Sequence, residues 1–466
     1  MNLTYQTSLL LFSGLVSVGQ QSKAEKNRAE RPNVLVILID DAGYNDFGFM
    51  GSPELRTPHI DALSGEGVVF SNGHVAATVS SPSRACLITG RYGHRFGYEC
   101  NLSDNINGLP TDEQTLGQVF QKAGYRTAAI GKWHLGSRDE LHPNRRGFDL
   151  FYGMKAGQRD YFYDENKSDR PGDERNLLLN DRQVKFDGYL TDVFSDKAVD
   201  FIKESTTPFM MYLSYNAVHT PMQATPEDLA LFKGHPRQKL AAMTYALDRG
   251  IGKVVQALKE TGKYDNTLIF FLSDNGGATI NQSSNLPLKG FKGNKFEGGH
   301  RVPFFMVWKN KITSTGNYNG LVSSLDIFAT AIDAAGIKKT KNTLDGVSLL
   351  PYVTKGKKGQ PHKALYWRKL DTRAIRCGDY KLIITRGVDS VLYDIRNDLE
   401  EQVDLKDQKP EVFRKLYKKL SKWEHAVCIE PLWREHNWGR ITNDYHRRLM
   451  HNEIKTANDL HKKAKK

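Results

Sequence analysis

Two acidic pairs stand at the ends of apolar runs in this chain. The run Asn33–Ile39 leads into Asp40-Asp41, and the run Thr267–Leu272 leads through Ser273 into Asp274-Asn275. Three carboxylates and a carboxamide make a hard-oxygen donor set of the kind that holds Ca²⁺ or, as second choice, Mg²⁺. Without a cation, carboxylates crowded together repel one another and resist joint ionisation. One Asp after a strand reads equally well as a helix cap. An adjacent pair, echoed by Asp-Asn at a second strand end, reads as a metal site. Zinc is not indicated, because no His or Cys joins the set.

The stretch Thr78–Arg95 reads TVSSPSRACLITGRYGHR. Its plain reading is a helix start, with Ser81 as N-cap, Pro82 in the first helical position and Gly90 closing the helix. That reading leaves Ser80 unexplained, a hydroxyl at a helix N-terminus with Arg84 beside it. Such a place suits an anion or an activated oxygen nucleophile. Three basic pieces accompany it: Gly131–Gly136 (GKWHLG), Asn216–Pro221 (NAVHTP) and the Gly/Lys-rich Lys289–Pro303. Singly they read as a surface lysine, a structural histidine and a glycine turn. Jointly they set cations and imidazoles where a sheet opens, a lining for a tetrahedral oxyanion beside a divalent metal.

Apolar periodicity supplies the elements that must carry these groups. Strands are predicted at Asn33–Ile39, Gly67–Phe70, Arg126–Ile130, Phe209–Tyr215 and Thr267–Leu272; helices start at Thr57 and span Glu113–Lys122 and Leu240–Thr261. Strands alternating with helices predict a doubly wound α/β sheet, whose ligands gather at the carboxyl ends of its strands. After Leu350 the character changes. Lys355–Pro361 is linker-like, and Ala364–Arg368, Thr372–Arg376, Tyr380–Ile384 and Ser390–Tyr393 follow at hairpin spacing, then a helix at Pro410–Ala426. This predicts a small antiparallel sheet. Gln158–Arg182 is aperiodic, charged and aromatic, a long surface loop of the kind that binds ligands. The expected organisation is a signal peptide (1–19), a flexible lead-in (20–30), a large domain (31–350), a smaller α+β domain (351–450) and a basic tail (451–466).

The chain has 466 residues, 39% of them apolar, and a net charge of +13. The charge favours an acidic partner such as a nucleic acid, an anionic surface or a sulfated polymer. No zinc-finger spacing or arginine-rich arm supports nucleic acid. The apolar run Leu9–Val18 is too short to span a bilayer and has the length of a signal-peptide core, which predicts export, foremost to the periplasm. No later run is long enough for stable membrane insertion. Cys86, Cys100, Cys377 and Cys428 match no metal or redox spacing and are expected as free thiols.

Ser80–Gly90 resembles the sulfatase signature: Cys or Ser, x, Pro, Ser, Arg, two variable residues, Leu, x, Thr, Gly. Asp40-Asp41, Gly131–Gly136, Val218-His-Thr-Pro221, Ser273–Gly277, Glu297–Pro303 and Ala374–Ile383 also look like that family, in its order. The resemblance runs from about Pro32 into the smaller domain. It implies an alkaline-phosphatase-like fold: a large mixed, mostly parallel sheet flanked by helices, and a smaller C-terminal antiparallel sheet with a helix. It implies that Ser80 is oxidised to formylglycine (3-oxoalanine), and that Pro82 and Arg84 are read by the maturing enzyme. Serine in place of cysteine resembles bacterial sulfatases matured by an anaerobic-type enzyme.

The implied mechanism assigns Ca²⁺ to Asp40, Asp41, Asp274 and Asn275. The hydrated aldehyde at position 80 attacks sulfur, Arg84 and Lys132 stabilise its oxyanion, and Lys132, His219 and Lys292 neutralise the sulfate. His219, assisted by Lys292, protonates the leaving sugar oxygen, and His134 helps expel sulfate and regenerate the aldehyde. Lys289 and Lys295 are expected to be peripheral. His94 and Arg95, just past the signature, and Arg159, Asp160 and Tyr161 in the long loop are candidates for the sugar pocket. The expected substrate is a sulfated oligosaccharide, with galactose or N-acetylgalactosamine sulfate ranked first. Two other readings stay open: a phosphate or phosphonate ester hydrolase on the same fold, and a sulfated-glycan-binding protein with unmodified Ser80.

Overall fold

The computed structural model describes residues 31–102 and 107–462. The expected signal peptide and lead-in, and residues 463–466 of the expected tail, lie outside the described residues. Strand β1 (Asn33–Ile39) is buried along its whole length, as a run of β-branched and apolar residues covered on both faces must be. The other strands of the larger unit are β2 (Val68–Phe70), β3 (Gly73–His74), β4 (Arg126–Lys132), β5 (Leu150–Met154), β6 (Leu178–Leu179), β7 (Arg182–Gln183), β8 (Phe209–Ser214), β9 (Thr267–Ser273), β10 (Phe304–Val307), β11 (Gly316–Tyr318) and β12 (Val322–Ser323).

Among the described residues, ten strands form one sheet in the order β11-β2-β10-β9-β1-β8-β4-β5-β6-β7. Its centre is parallel, from β9 through β1, β8 and β4 to β5. Strand β10 runs antiparallel to both β9 and β2, and β6 and β7 add an antiparallel edge. Alternate residues of β1 feed two cores. Leu35, Ile37 and Ile39 pack with the helices α1 (Pro58–Gly65), α4 (Leu190–Glu204) and α5 (Gln238–Glu260). Val34, Val36 and Leu38 pack with α2 (Ser80–Thr89), α3 (Leu116–Lys122) and α7 (Asp326–Ala334) on the other face. A single turn, α6 (Glu297–His300), precedes β10.

The smaller unit is an antiparallel sheet, β13 (Ala364–Lys369), β14 (Thr372–Cys377), β15 (Tyr380–Thr385) and β16 (Asp389–Asp394), paired in sequence order. Helix α8 (Pro410–Val427) covers one face through Leu416, Leu420 and Trp423, which meet Ile375, Leu382 and Leu392. Two further helices, α9 (His436–Met450) and α10 (Ala457–Lys462), follow. Leu449, Met450, Ile454 and Ala457 join Trp367, Ile383 and Val391 in a core toward the larger unit. The expected basic tail is therefore packed as far as Leu460. No helix among the described residues is long and apolar enough to cross a membrane.

Candidate active site

The site follows from strand register. Strands β9, β1, β8 and β4 are parallel neighbours, with Ile39 opposite Ser273, Leu38 opposite Ser214 and Gly131 opposite Ser214. The residues just past these ends therefore meet on one edge: Asp40, Asp41, Asp274, Asn275 and Lys132. Gly131 is required there, because with φ 102° a Cβ would stand 1.9 Å from the Ser214 carbonyl oxygen.

Helix α2 starts at Ser80, with Val79 as an N-cap that makes no side-chain bond. This corrects the expected cap at Ser81, whose hydroxyl bonds Tyr98 Oη at 2.6 Å and the His134 carbonyl at 2.7 Å instead. The first-turn position directs the Ser80 hydroxyl at the acidic pairs. Its Oγ donates within 3.2 Å of both Asp40 Oδ1 and Asn275 Oδ1. Gly90 closes the helix in the left-handed conformation, as expected.

Three cations face three buried carboxylates. Lys132 Nζ lies 2.5 Å from Asp40 Oδ2, and Lys292 Nζ lies 2.6 and 2.9 Å from the two oxygens of Asp41. The Arg84 guanidinium holds Asp274 Oδ2 at 3.0 Å and stands 3.6 Å from Asp40. It also donates to Ser214 Oγ and to the Lys132 carbonyl at 3.2 Å. Burial pushes the Asp40 and Asp41 carboxyls up, but Lys132 and His219 on one, and Lys292 and His219 on the other, hold both below the ordinary carboxylate range. Burial works against the Lys292 ammonium too, yet Asp41, Asp40 and Asp274 raise its pKa, so it stays charged.

Both imidazoles are lowered, first by burial. Lys132 and Arg84 add to the effect at His134, while Asp40 and Asp41 oppose it at His219. His219 Nδ1 lies 2.7 Å from the Thr220 carbonyl, so this nitrogen carries its proton and Nε2 faces Asp41 Oδ2 at 3.6 Å. His134 Nδ1 is buried without a hydrogen-bond partner among the described residues. Asp41 and His134 adopt φ 61° and 56°, a left-handed backbone uncommon for residues other than glycine and often found at functional sites.

The donor set fits a divalent cation. Three carboxylates and an amide oxygen converge with no sulfur among them, which is the chemistry of Ca²⁺ or Mg²⁺. Asn275 Nδ2 is turned onto Asp41 Oδ1 at 2.8 Å, which aims its amide oxygen toward Ser80 and Asp40. An imidazole reaches the edge of the set, since His219 has an atom close enough to those of Asp40 and Asp41 to share an ion. The sequence pattern did not anticipate that.

His94 and Arg95 are not at this edge. They follow the Gly90 end of α2, and their side chains are committed to other partners. His94 Nε2 bonds the Arg368 carbonyl at 2.9 Å and its ring packs edge-on against Trp423, while Arg95 grips both oxygens of Asp345 at 2.7 Å. Of the long loop, Arg159 is buried on Asp169 and Asp160 accepts from Gln223 and Ser168. Tyr161 Oη donates to the Asn216 and His219 carbonyls at 2.7 and 2.8 Å, so it shapes the His219 turn. Lys289 Nζ bonds the Glu401 carbonyl and Asn452, and Lys295 Nζ bonds Thr78 Oγ1 at 2.8 Å.

Several supporting residues carried no sequence signal of their own. Asn101 Oδ1 accepts the Ser81 N–H at 3.0 Å, and Asn281 and Ser283 bond the Asp41 carbonyl at 3.1 and 2.9 Å. The polar run after Asp274–Gly277 was the only hint of the last two. All four cysteines are free, Cys86 and Cys100 buried and the other two half-buried.

A family model described as Sulfatase matches residues 32–337. The chain belongs to the sulfatase family. A second family model, N-sulphoglucosamine sulphohydrolase, C-terminal, matches residues 292–426. The chain is 34% identical over 413 residues to an uncharacterized sulfatase, YdeN, of Escherichia coli (strain K12), covering 76% of this chain and 71% of that protein. It is 32% identical to the N-acetylgalactosamine-6-sulfatase of Homo sapiens, over 75% of this chain and 71% of the relative. Among solved structures, that of Ps i-CgsB aligns with a TM-score of 0.82 at 36% identity, over 89% of this chain and 98% of that one. The same protein has been solved in complex with k-i-k-neocarrahexaose. This sulfatase is thus a sulfuric ester hydrolase acting on sugar sulfates, on an alkaline-phosphatase-like fold.

Proposed function

We propose that this sulfatase removes sulfate from galactose or N-acetylgalactosamine sulfate units of an oligosaccharide, using formylglycine made from Ser80 and a Ca²⁺ ion. The carrying observation is the Ser80 hydroxyl at the start of α2, within 3.2 Å of Asp40 and Asn275. Asp40, Asp41, Asp274 and Asn275 are the residues that would hold the ion. The two groups supply what a serine alone lacks: a hydrated aldehyde as nucleophile, and a divalent charge that orients it and the sulfate.

The chain's own residues do the rest. Three carboxylates balance Arg84, Lys132 and Lys292, so a divalent cation held there would leave surplus positive charge suited to a sulfate ester. Lys132 and Lys292 then lie against the developing charge. The Thr220 carbonyl holds one proton of His219 on Nδ1, so His219 gives a proton to the leaving sugar oxygen from Nε2 only when the ring carries a second proton, a charge that Asp40 and Asp41 favour, and the charged Lys292 beside it is the standing proton source. The unpartnered His134 Nδ1 is the matching base for the second half of the cycle. The human N-acetylgalactosamine-6-sulfatase and the neocarrahexaose complex of Ps i-CgsB support the choice of sugar. Export through residues 1–19 and maturation by an anaerobic-type enzyme belong to the same reading.

The test is mass spectrometry of the peptide spanning Ser80 in protein from its native host, followed by sulfate release from N-acetylgalactosamine 6-sulfate and galactose 6-sulfate. Loss of two hydrogens at Ser80, with release from either sugar, is expected. Unmodified serine in fully active protein would overturn the mechanism, and release from neither sugar would overturn the substrate.

A further inference from the structure

The tip of the β13–β14 hairpin breaks the rule for its own turn. Lys369 pairs with Thr372, so the loop is the two residues Leu370 and Asp371. Tight loops of this kind favour Asn or Gly where φ is positive, yet Leu370 adopts φ 52°. A large apolar residue held in the left-handed region is retained for what it touches rather than for the turn. Leu370 and Asp371 form the wall shared by two hollows.

The smaller hollow is lined by Gly293, the neighbour of Lys292, and by Lys369. Lys369 Nζ bonds Glu435 Oε2 at 2.7 Å, Glu435 Oε1 accepts the Asn101 N–H at 2.5 Å, and Asn101 in turn holds Ser81. The hairpin tip is thus tied to the residue beside the nucleophile. The larger hollow, beyond the tip, has a volume of about 300 Å³. Its lining includes Arg368, Arg386 and Arg434 with Glu99 and Glu430. Arg368 is committed to Glu99, and Arg434 pairs with Glu430 at 2.6 Å. The exposed Arg386 guanidinium makes no side-chain bond among the described residues and is the donor left for a ligand. Ile429, Pro431 and Leu370 supply apolar surface. The part-buried Arg368–Glu99 fork and the exposed Arg434–Glu430 pair beside an apolar wall suit the hydroxyls and the flat face of a sugar ring, and an uncommitted guanidinium suits a sulfate on it.

We propose that this cavity is a subsite for a further sugar unit of the same chain, with Arg386 facing a second sulfate, so that the enzyme acts on sulfated oligosaccharides rather than on single sugars. The inference rests on the sulfatase reading and deepens it. The test uses full-length enzyme with Leu370→Gly, Arg386→Ala and the double substitution. Glycine suits the positive φ, so Leu370→Gly removes the wall without burdening the fold. Dissociation constants for k-i-k-neocarrahexaose and for a chondroitin 6-sulfate hexasaccharide are measured by calorimetry. Turnover of each is compared with that of 4-nitrophenyl sulfate, which is too short to reach the cavity.

For the hexasaccharide the parent binds, the double substitution should weaken binding at least tenfold. The ratio of kcat/KM between hexasaccharide and 4-nitrophenyl sulfate should fall by a similar factor, through KM, with Tm unchanged. Binding within twofold of the parent, or a parent that binds neither hexasaccharide, would overturn the subsite. A parent that binds but releases sulfate from no probe would overturn the catalytic reading instead, and the affinities would still decide the subsite.

Discussion

Two clusters of buried carboxylates and cations occupy this chain, and they are finished differently. At the strand ends, Asp40, Asp41 and Asp274 face Arg84, Lys132 and Lys292, and the cluster has an opening: the side chains of Lys292 and His219 are 19% and 14% exposed. At the seam with the smaller unit, Lys381 Nζ bridges Glu297 at 2.9 Å and Glu401 at 3.0 Å, with all three side chains fully buried. Arg301 lies 3.3 Å from Glu297, and Glu401 accepts the Glu297 N–H at 2.7 Å. His74 and His300 meet through their Nδ1 atoms at 3.0 Å, and His300 stacks on Trp367.

Both clusters bring together groups that could hold a metal. In the second, Lys381, Arg301 and Arg376 already surround Glu297, and burial with the nearby cations keeps both imidazoles uncharged. A divalent ion there would sit among fixed positive charges with nothing to displace. The seam cluster is a closed lock that fixes the 289–303 loop bearing Lys292; the strand-end cluster leaves charge to be completed from outside. Buried ion pairs are weak evidence for stability, and the contrast lies in whether a cluster is open to solvent.

The comparison can be broken in three ways. The largest effect should come from Ser80→Ala, which removes the proposed nucleophile and should lower sulfate release by roughly 10⁴-fold or more. Its stability should stay within about 1 kcal/mol of the parent, because only two long hydrogen bonds are lost. A residual rate near the parent's would mean that the open cluster is not the reacting one. Lys381→Met should do the reverse. Leaving Glu297 and Glu401 buried without their ammonium should cost about 3–5 kcal/mol in urea unfolding, while kcat per folded molecule stays near the parent's. Adding Glu401→Gln should recover part of that loss, and strict additivity of the two changes would show that the seam is not one network. The smallest effect is expected for Arg95→Ala. Its pair with Asp345 is partly exposed, so the loss should be at most about 1 kcal/mol, with kcat/KM on an oligosaccharide near the parent's. A tenfold fall in kcat/KM would return Arg95 to the sugar pocket.

The open cluster was far more legible than the closed one. Asp40-Asp41 and Asp274-Asn275 end runs whose burial is written in their composition, so their meeting needed only parallel neighbours. The four hairpin strands and the helix at Pro410 were likewise marked by turn spacing and periodicity. Glu297 and Lys381 stand 84 positions apart on different units, and no local pattern links them. The helix start was misjudged by two residues because Ser81 is a better cap than Val79 by type, whereas Tyr98 and the His134 carbonyl claim its hydroxyl. His94 and Arg95 were drawn toward the site by sequence proximity, but the Arg368 carbonyl, Trp423 and Asp345 take up their side chains.

By itself, the sequence determined which residues can do chemistry and which elements carry them, because residue type and apolar period act locally. The tertiary structure decided which end of a helix faces the site, which imidazole nitrogen keeps its proton, that the tail packs as far as Leu460, and that a strained leucine walls a cavity. Those depend on partners far away in the chain, and on burial that removes the competition of water.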